Sequence, residues 1–162
     1  NLRIDGTVNL SFPVLETVNV QIPGTLTAAS AEYTAGSFQA AVEYSRWFVG
    51  LRSSDLNVFP HESITSERAY ASATYRVNRW FWPGAYYGMY FPNVDDRSSP
   101  AGKGHDLAGT LRFDINPHWI VKLEGHLMAG TGSLDSTLNG NQPLTALPPW
   151  WAAFLVKTTA YF

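Results

Sequence analysis

The sequence predicts an all-β chain, an antiparallel up-and-down transmembrane β-barrel with eight strands, on three observations. Apolar and polar residues alternate with period two in segment after segment, the connections alternate between short and long, and every well-defined segment has one face free of charge.

In chain order, Leu2 to Leu10 sets Leu2, Ile4, Gly6, Val8 and Leu10 against Arg3, Asp5, Thr7 and Asn9. Shorter alternations follow. Ala29, Ala31 and Tyr33 oppose Ser30, Glu32 and Thr34, and Phe38, Ala40, Val42 and Tyr44 oppose Gln39, Ala41, Glu43 and Ser45. Arg46 breaks the pattern by falling on the face of Tyr44, so either a bulge near Ser45 or a height at which the side chain can snorkel is expected. Next, Ala69, Ala71, Ala73, Tyr75 and Val77 oppose Arg68, Tyr70, Ser72, Thr74 and Arg76. The least regular segment is Trp82 to Phe91, with Ala85, Tyr87, Met89 and Phe91 as its apolar row. Pro83 limits where its hydrogen bonding begins.

The last three segments are clearest. Leu107, Gly109, Leu111, Phe113 and Ile115 oppose Asp106, Ala108, Thr110, Arg112 and Asp114, while Trp119, Val121, Leu123, Gly125 and Leu127 oppose Ile120, Lys122, Glu124, His126 and Met128. Phe154, Val156, Thr158, Ala160 and Phe162 oppose Leu155, Lys157, Thr159 and Tyr161.

Tight turns are expected at Ala35–Ser37, Asn78–Phe81 and Asn116–His118, and long connections at Ser11–Pro23, Leu51–Glu67, Pro92–His105 and Thr131–Pro149. That alternation matches short periplasmic turns and long outer loops. Aromatic residues gather near both ends of the strands. Tyr33, Phe38, Tyr75, Trp80, Phe81, Trp82, Phe113, Trp119 and Phe162 stand toward the tight turns, with Trp47, Phe48, Tyr90, Phe91, Trp150 and Trp151 toward the long loops, as two interfacial belts require.

Composition narrows the function classes. Of the 162 residues 45% are hydrophobic and only 15% charged, against about 25% charged in ordinary soluble domains. The length suits one domain, residues 1–162, or part of one. A net charge of −2 with no basic cluster argues against nucleic acid as a partner. Without cysteine, disulfide frameworks, thiol catalysis and Cys-zinc sites are excluded. No apolar run approaches the roughly 18 residues of a membrane helix, whereas a barrel strand needs only about 9 to 11. Asn1 begins no basic-then-apolar signal pattern, as expected of a mature chain or a fragment.

The ending Phe154-Leu-Val-Lys-Thr-Thr-Ala-Tyr-Phe162, an amphipathic strand closing on Phe, resembles the signal by which the barrel assembly machinery recognises Gram-negative outer-membrane proteins. Phe162 is the assembly signal and the true carboxyl terminus that this resemblance implies. The hairpin from Leu111 to His126, with its Asn-Pro turn, is similar to closing hairpins of the phosphate-selective porin superfamily. That similarity covers roughly the last hundred residues. Such porins are trimers of sixteen-stranded barrels, so the resemblance implies a homotrimer in which this chain supplies the carboxy-terminal half of each barrel. Those porins line their pores with arginine and lysine. Here Arg3, Arg68, Arg76, Arg112, Lys122 and Lys157 are balanced by Asp5, Glu32, Glu43, Asp106, Asp114 and Glu124 on the same faces.

The expected pore-lining residues are Arg68, Arg76, Arg112, Asp114, Lys122, Glu124, His126 and Lys157. His126 and Glu124, two apart on one face, are a general base and orienter only on paper, because such side chains start about 6 to 7 Å apart. A polar lumen lining accounts for them, and no catalytic residue or enzyme is expected. Asn93, Asp95 and Asp96 have oxygen ligands but no calcium-loop array, and the neighbours His105–Asp106 and His61–Glu62 diverge on an extended backbone, so neither a metal nor another cofactor is expected. The segment Leu134–Pro149 either folds inward to narrow a pore or stands out as a receptor surface.

The function expected is an outer-membrane channel for passive diffusion of small polar or anionic solutes, in contact with outer-membrane lipid. Two alternatives stand beside it: a closed eight-stranded outer-membrane barrel with a structural, adhesion or anchoring role, and a soluble ligand-binding barrel.

Overall fold

The computed structural model describes residues 2–11, 17–57, 59–135, 137 and 140–162, with side chains from Val18 onward. The fold is all-β. A single antiparallel sheet carries β1 (Leu2–Ser11), β2 (Thr17–Ala35), β3 (Phe38–Ser53), β4 (Glu62–Tyr75), β5 (Phe81–Phe91), β6 (Gly104–Asn116), β7 (Trp119–Ala129) and β8 (Trp150–Ala160) in sequence order. The sheet is open, with β1 and β8 as its edges.

Each tight turn has a local chemical cause. Gly36 takes φ +57°, a left-handed conformation that costs glycine nothing. Asn78 Oδ1 accepts the amides of Trp80 and Phe81 at 2.9 and 3.0 Å, and Asn116 Oδ1 accepts that of His118 at 2.8 Å, both side chains replacing a backbone acceptor. Pro83 belongs to β5, but the ladder to β4 starts only at Gly84, opposite Thr74.

Several strands run further than their alternation marks. The long connection expected over Ser11–Pro23 is strand from Thr17 onward, with positions 12–16 outside the described residues. Likewise β3 continues to Ser53 and β4 starts at Glu62, which shortens the expected Leu51–Glu67 connection to residues 54–61. The reason lies in Val18 and Val20, only 2% and 5% exposed. At the long-loop end of β2 the rows that carry Glu32 lower down become apolar, and burying them extends the ladder. At the other end of the chain β8 begins at Trp150 rather than Phe154 and stops at Ala160, leaving Phe162 outside the strand.

Register defines two faces. One carries the row Ala41, Ser72, Tyr86, Ala108, His126 and Ala153, and above and below it Glu43, Asp106, Thr110, Glu124, Arg112, Lys122 and Lys157. The opposite face carries Val42, Ala71, Tyr87, Leu107, Leu127 and Ala152, followed by Leu111, Leu123 and Val156. Arg3 and Asp5 lie outside the described side chains. Their backbone pairs with Thr25 and Pro23, and Thr25 pairs in turn with Phe48, not with the row of Glu43 that alternation from the sequence assigns.

Candidate pore-lining face

Arg112, Lys122 and Lys157 stand side by side on β6, β7 and β8, because the β6–β7 ladder, shifted by one residue between Asp114 and Asn116, sets Arg112 opposite Lys122 and the next ladder sets Lys122 opposite Lys157. Three cations in one row would repel one another across strands about 4.8 Å apart. Two carboxylates relieve the row. Arg112 Nε donates to Asp114 Oδ1 at 2.7 Å, while Glu124 receives Lys122 Nζ at 2.7 Å and Lys157 Nζ at 3.1 Å on its two oxygens. Glu124 is 4% exposed, and a carboxylate taken that far from water requires such partners.

Arg76 comes from the turn after β4, where its amide donates to the Ser37 carbonyl at 2.8 Å. The Trp82 ring lies 5.4 Å from both the Arg76 and the Arg112 guanidinium, and the ladder sets Trp82 opposite Arg112, so it belongs to the charged face and not to the aromatic belt in which its place near a strand end put it. Tyr90 and Trp151 are corrected in the same way. Arg68 stacks 4.4 Å over the Tyr90 ring, and Trp151 Nε1 donates to the Gly130 carbonyl at 3.3 Å. A cavity of about 480 Å³ opens over this part of the face, lined by Thr74, Trp82, Thr110, Arg112, Lys122 and Lys157.

His126 is oriented by a residue other than Glu124. Its Nδ1 lies 3.1 Å from both oxygens of Asp106, which sits diagonally across the β6–β7 ladder, and the Tyr86 hydroxyl donates to Asp106 Oδ2 at 2.7 Å. This Tyr86–Asp106–His126 group was not apparent as a unit in the sequence. Counting the ladder outward from the turn, with Asp114 opposite Ile120 first, sets Ala108 opposite His126 and so brings Asp106 next to it, but the contribution of β5 has no such short-range signal. Among the described residues, His126 Nε2 and Trp82 Nε1 are buried polar atoms with no hydrogen-bond partner, and both belong to this face.

Elsewhere His105 and Asp106 diverge: His105 meets Tyr87, with Oη 2.7 Å from Nδ1, on the apolar face. No bulge accommodates Arg46, since both ladders run unbroken past Ser45 and set it opposite Thr27 and Glu67. Glu67 also receives the Tyr44 hydroxyl at 2.6 Å and pairs with Arg97, whose guanidinium lies 4.6 Å over Phe91. Asp96 is engaged by Ser99, with its hydroxyl at 2.7 Å and its amide at 3.2 Å, and Asn93 Oδ1 accepts the Asp95 amide. Among the described residues no group of three or more acidic, histidine or cysteine side chains is placed to hold a metal ion. The segment Leu134–Pro149 is tied at its ends, where Gly130 donates to the Pro149 carbonyl and the Thr131 hydroxyl to that of Leu144, within a 3-10 turn at Leu144–Ala146.

The two faces differ in how they meet solvent. On the charged face Glu124, Thr110 and Ala108 are buried, whereas the opposite face exposes Phe154 at 70%, Val156 at 62% and, less strongly, Leu107, Leu111 and Leu127. Apolar and aromatic side chains are also exposed in the rows of the charged face, among them Ile22, Trp47, Ile64, Tyr70 and Leu155. No family model matches the chain, and neither a curated protein nor a solved structure matches it.

Proposed function

We propose that the chain forms the wall, or half of the wall, of an outer-membrane β-barrel whose charged face lines a channel for passive diffusion of small polar or anionic solutes. The observation that carries this is the inverted polarity of the sheet, with a carboxylate buried on one face and large apolar side chains exposed on the other. A soluble β-barrel has the reverse need, apolar side chains within and charges in water. Lipid supplies a partner for the exposed face. Each strand has at least ten residues, enough to cross a bilayer, and Arg46, Glu67 and Arg97 cluster at the long-loop end, where a charged group reaches the headgroup region.

The unpartnered nitrogens of His126 and Trp82 fit a lumen in which water or a passing solute supplies the missing hydrogen bond. Both edges of the sheet need partners in hydrocarbon, since unpaired backbone groups there cost several kcal/mol each. They close on one another in an eight-stranded barrel, or on further strands in a larger one such as the sixteen-stranded trimeric porins. Recognition of Phe162 by the barrel assembly machinery and residence in a bacterial outer membrane belong to the same proposal.

One observation favours a second reading, a closed barrel with an anchoring or structural role. Arg112–Asp114, Lys122–Glu124–Lys157 and Tyr86–Asp106–His126 already pair among themselves, as the filled interior of a narrow barrel requires. Planar-bilayer recordings of the detergent-purified chain separate the two: stepwise ohmic conductance supports the channel, and insertion without conductance supports the closed barrel. Recovery as a soluble monomer without detergent, with no heat-modifiable migration, would overturn both.

A further inference from the structure

On the apolar face, at the long-loop end, a groove of about 440 Å³ runs between the strand ends and the loops above them. Its walls are Tyr87, Leu107, Leu127, Ala129, Pro149 and Trp150. Among the described residues, Lys103 and His105 are the only lining residues able to carry positive charge, and no carboxylate lines the groove. Of the carboxylates on the neighbouring loop, Asp96 is turned onto Ser99, and Asp95 stands outside the groove.

The groove is held by backbone contacts. Gly132 donates to the Lys103 carbonyl at 2.8 Å, Thr131 to that of Pro100 at 2.6 Å and Gly130 to that of Pro149 at 2.7 Å. Gly130 has φ +84°, and a Cβ there would lie 2.2 Å from the Lys103 carbonyl oxygen, so the backbone carrying the lysine is clamped at a point only glycine allows. The Tyr87 hydroxyl bonded to Nδ1 orients the His105 ring and leaves Nε2 for a ligand. Among the described residues Lys103 makes no ion pair.

We infer that this groove binds one molecule of an anionic phospholipid, with an acyl chain along Leu107, Leu127 and Trp150 and the charged headgroup between Lys103 and His105. Apolar walls ending in uncompensated positive charge are complementary to an amphiphile of that charge, and the groove opens at the end of the strands where headgroups lie. The inference rests on the membrane-barrel reading above.

The test is reconstitution of the full chain in nanodiscs of equimolar phosphatidylcholine and phosphatidylglycerol, followed by release of the protein and mass analysis of the lipid it retains. The ratio of phosphatidylglycerol to phosphatidylcholine in the retained lipid should be about 5 to 1, against 1 to 1 in the bulk, the effect of one cation at a membrane surface. Lys103→Gln should abolish most of that enrichment. Ala129→Phe, which fills the groove without changing charge, should reduce the retained lipid itself. Incorporation with retained lipid of bulk composition would overturn the inference and leave the barrel standing, as would enrichment unaffected by both substitutions. Failure to enter the nanodisc would overturn the barrel reading and this inference together.

Discussion

At the scale of single residues, the charged face is governed by which carboxylate each cation can reach. Arg112, Lys122 and Lys157 border the cavity, and among the described residues Asp114 and Glu124 are the carboxylates that pair with them. In the proposed channel, replacing Asp114 by Asn and Glu124 by Gln together should raise the anion-to-cation permeability ratio about threefold, because a solute would pass within a Debye length of about 8 Å of these charges. Lys122→Gln should lower it, and reversal potentials in a salt gradient measure both. An unchanged potential in both variants would mean that the side chains are packed away from any conducting path. A second residue-scale effect concerns Asp96. The hydroxyl and amide of Ser99 hold its carboxyl below the ordinary aspartate value of 3.8. A depressed folded pKa means that the loop contact is complete above the ordinary value and is lost only as pH falls through the lower one. The Ser99 amide resonance followed against pH should therefore titrate with a midpoint below 3.8, and the step should vanish in Asp96→Asn. A midpoint at or above 3.8 would exclude the contact.

At the scale of elements, β5 was the least legible strand and is the most constrained. The absence of a side chain at Gly84 permits the close approach of β4 and β6: a Cβ there would lie 2.7 Å from Thr74 Cγ2, 2.9 Å from the Ala73 carbonyl and 3.0 Å from Thr110 Oγ1. Gly88, four residues along the same strand, would place a Cβ in open space. Gly84→Val should therefore destabilise the fold by about 1 to 3 kcal/mol, the usual cost of overpacking, and lower the temperature at which electrophoretic migration changes. Gly88→Val should leave that temperature within error of the parent. Equal effects would mean that β-propensity, not steric contact, decides at both positions. The β6–β7 hairpin is the opposite case. Counting from a turn over residues 116–118, with Asp114 opposite Ile120, suffices to align Arg112 with Lys122, and a one-residue irregularity between Asp114 and Asn116 accommodates the Asn-capped turn.

At the scale of the whole molecule, the proposed barrel wall turns on which face meets lipid. Single cysteines at Leu111, Val121 and Val156 lie on the exposed apolar face, and those at Arg112, Lys122 and Lys157 lie one residue away on the charged face. In proteoliposomes a membrane-impermeant thiol reagent should label the second set and spare the first, because one step along a strand reverses the face. Preferential labelling of the first set would invert the proposed wall and favour a soluble barrel. The aromatic residues at the tight-turn end have a clear arrangement. Trp80, Phe81 and Phe113 pack with ring centroids 5.2 to 6.2 Å apart, and Trp119 Nε1 reaches the Thr158 hydroxyl at 2.6 Å, an apolar ring with one polar tie as interfacial positions favour.

The all-β class, the antiparallel order and the tight turns were legible in the amino-acid sequence, because period-two alternation and the chemistry of Asn and Gly at turns are properties of neighbouring residues. The row Arg112–Lys122 could be counted from its turn for the same reason. Other features depended on strands distant in sequence. Val18 and Val20 extend β2 because β3 and β4 present Val49, Leu51 and Ile64 to the same end of the sheet, which no local pattern in residues 11–23 reveals. Asp106, not Glu124, orients His126 because diagonal reach across a ladder outweighs proximity along a strand, and Tyr86 joins them from a third strand. Trp82 left the aromatic belt because two guanidinium groups from different elements converge on its ring. Alternation assigns each residue a face, but only the pairing of strands decides what stands beside it there, since neighbours across a sheet are set by register rather than by sequence distance.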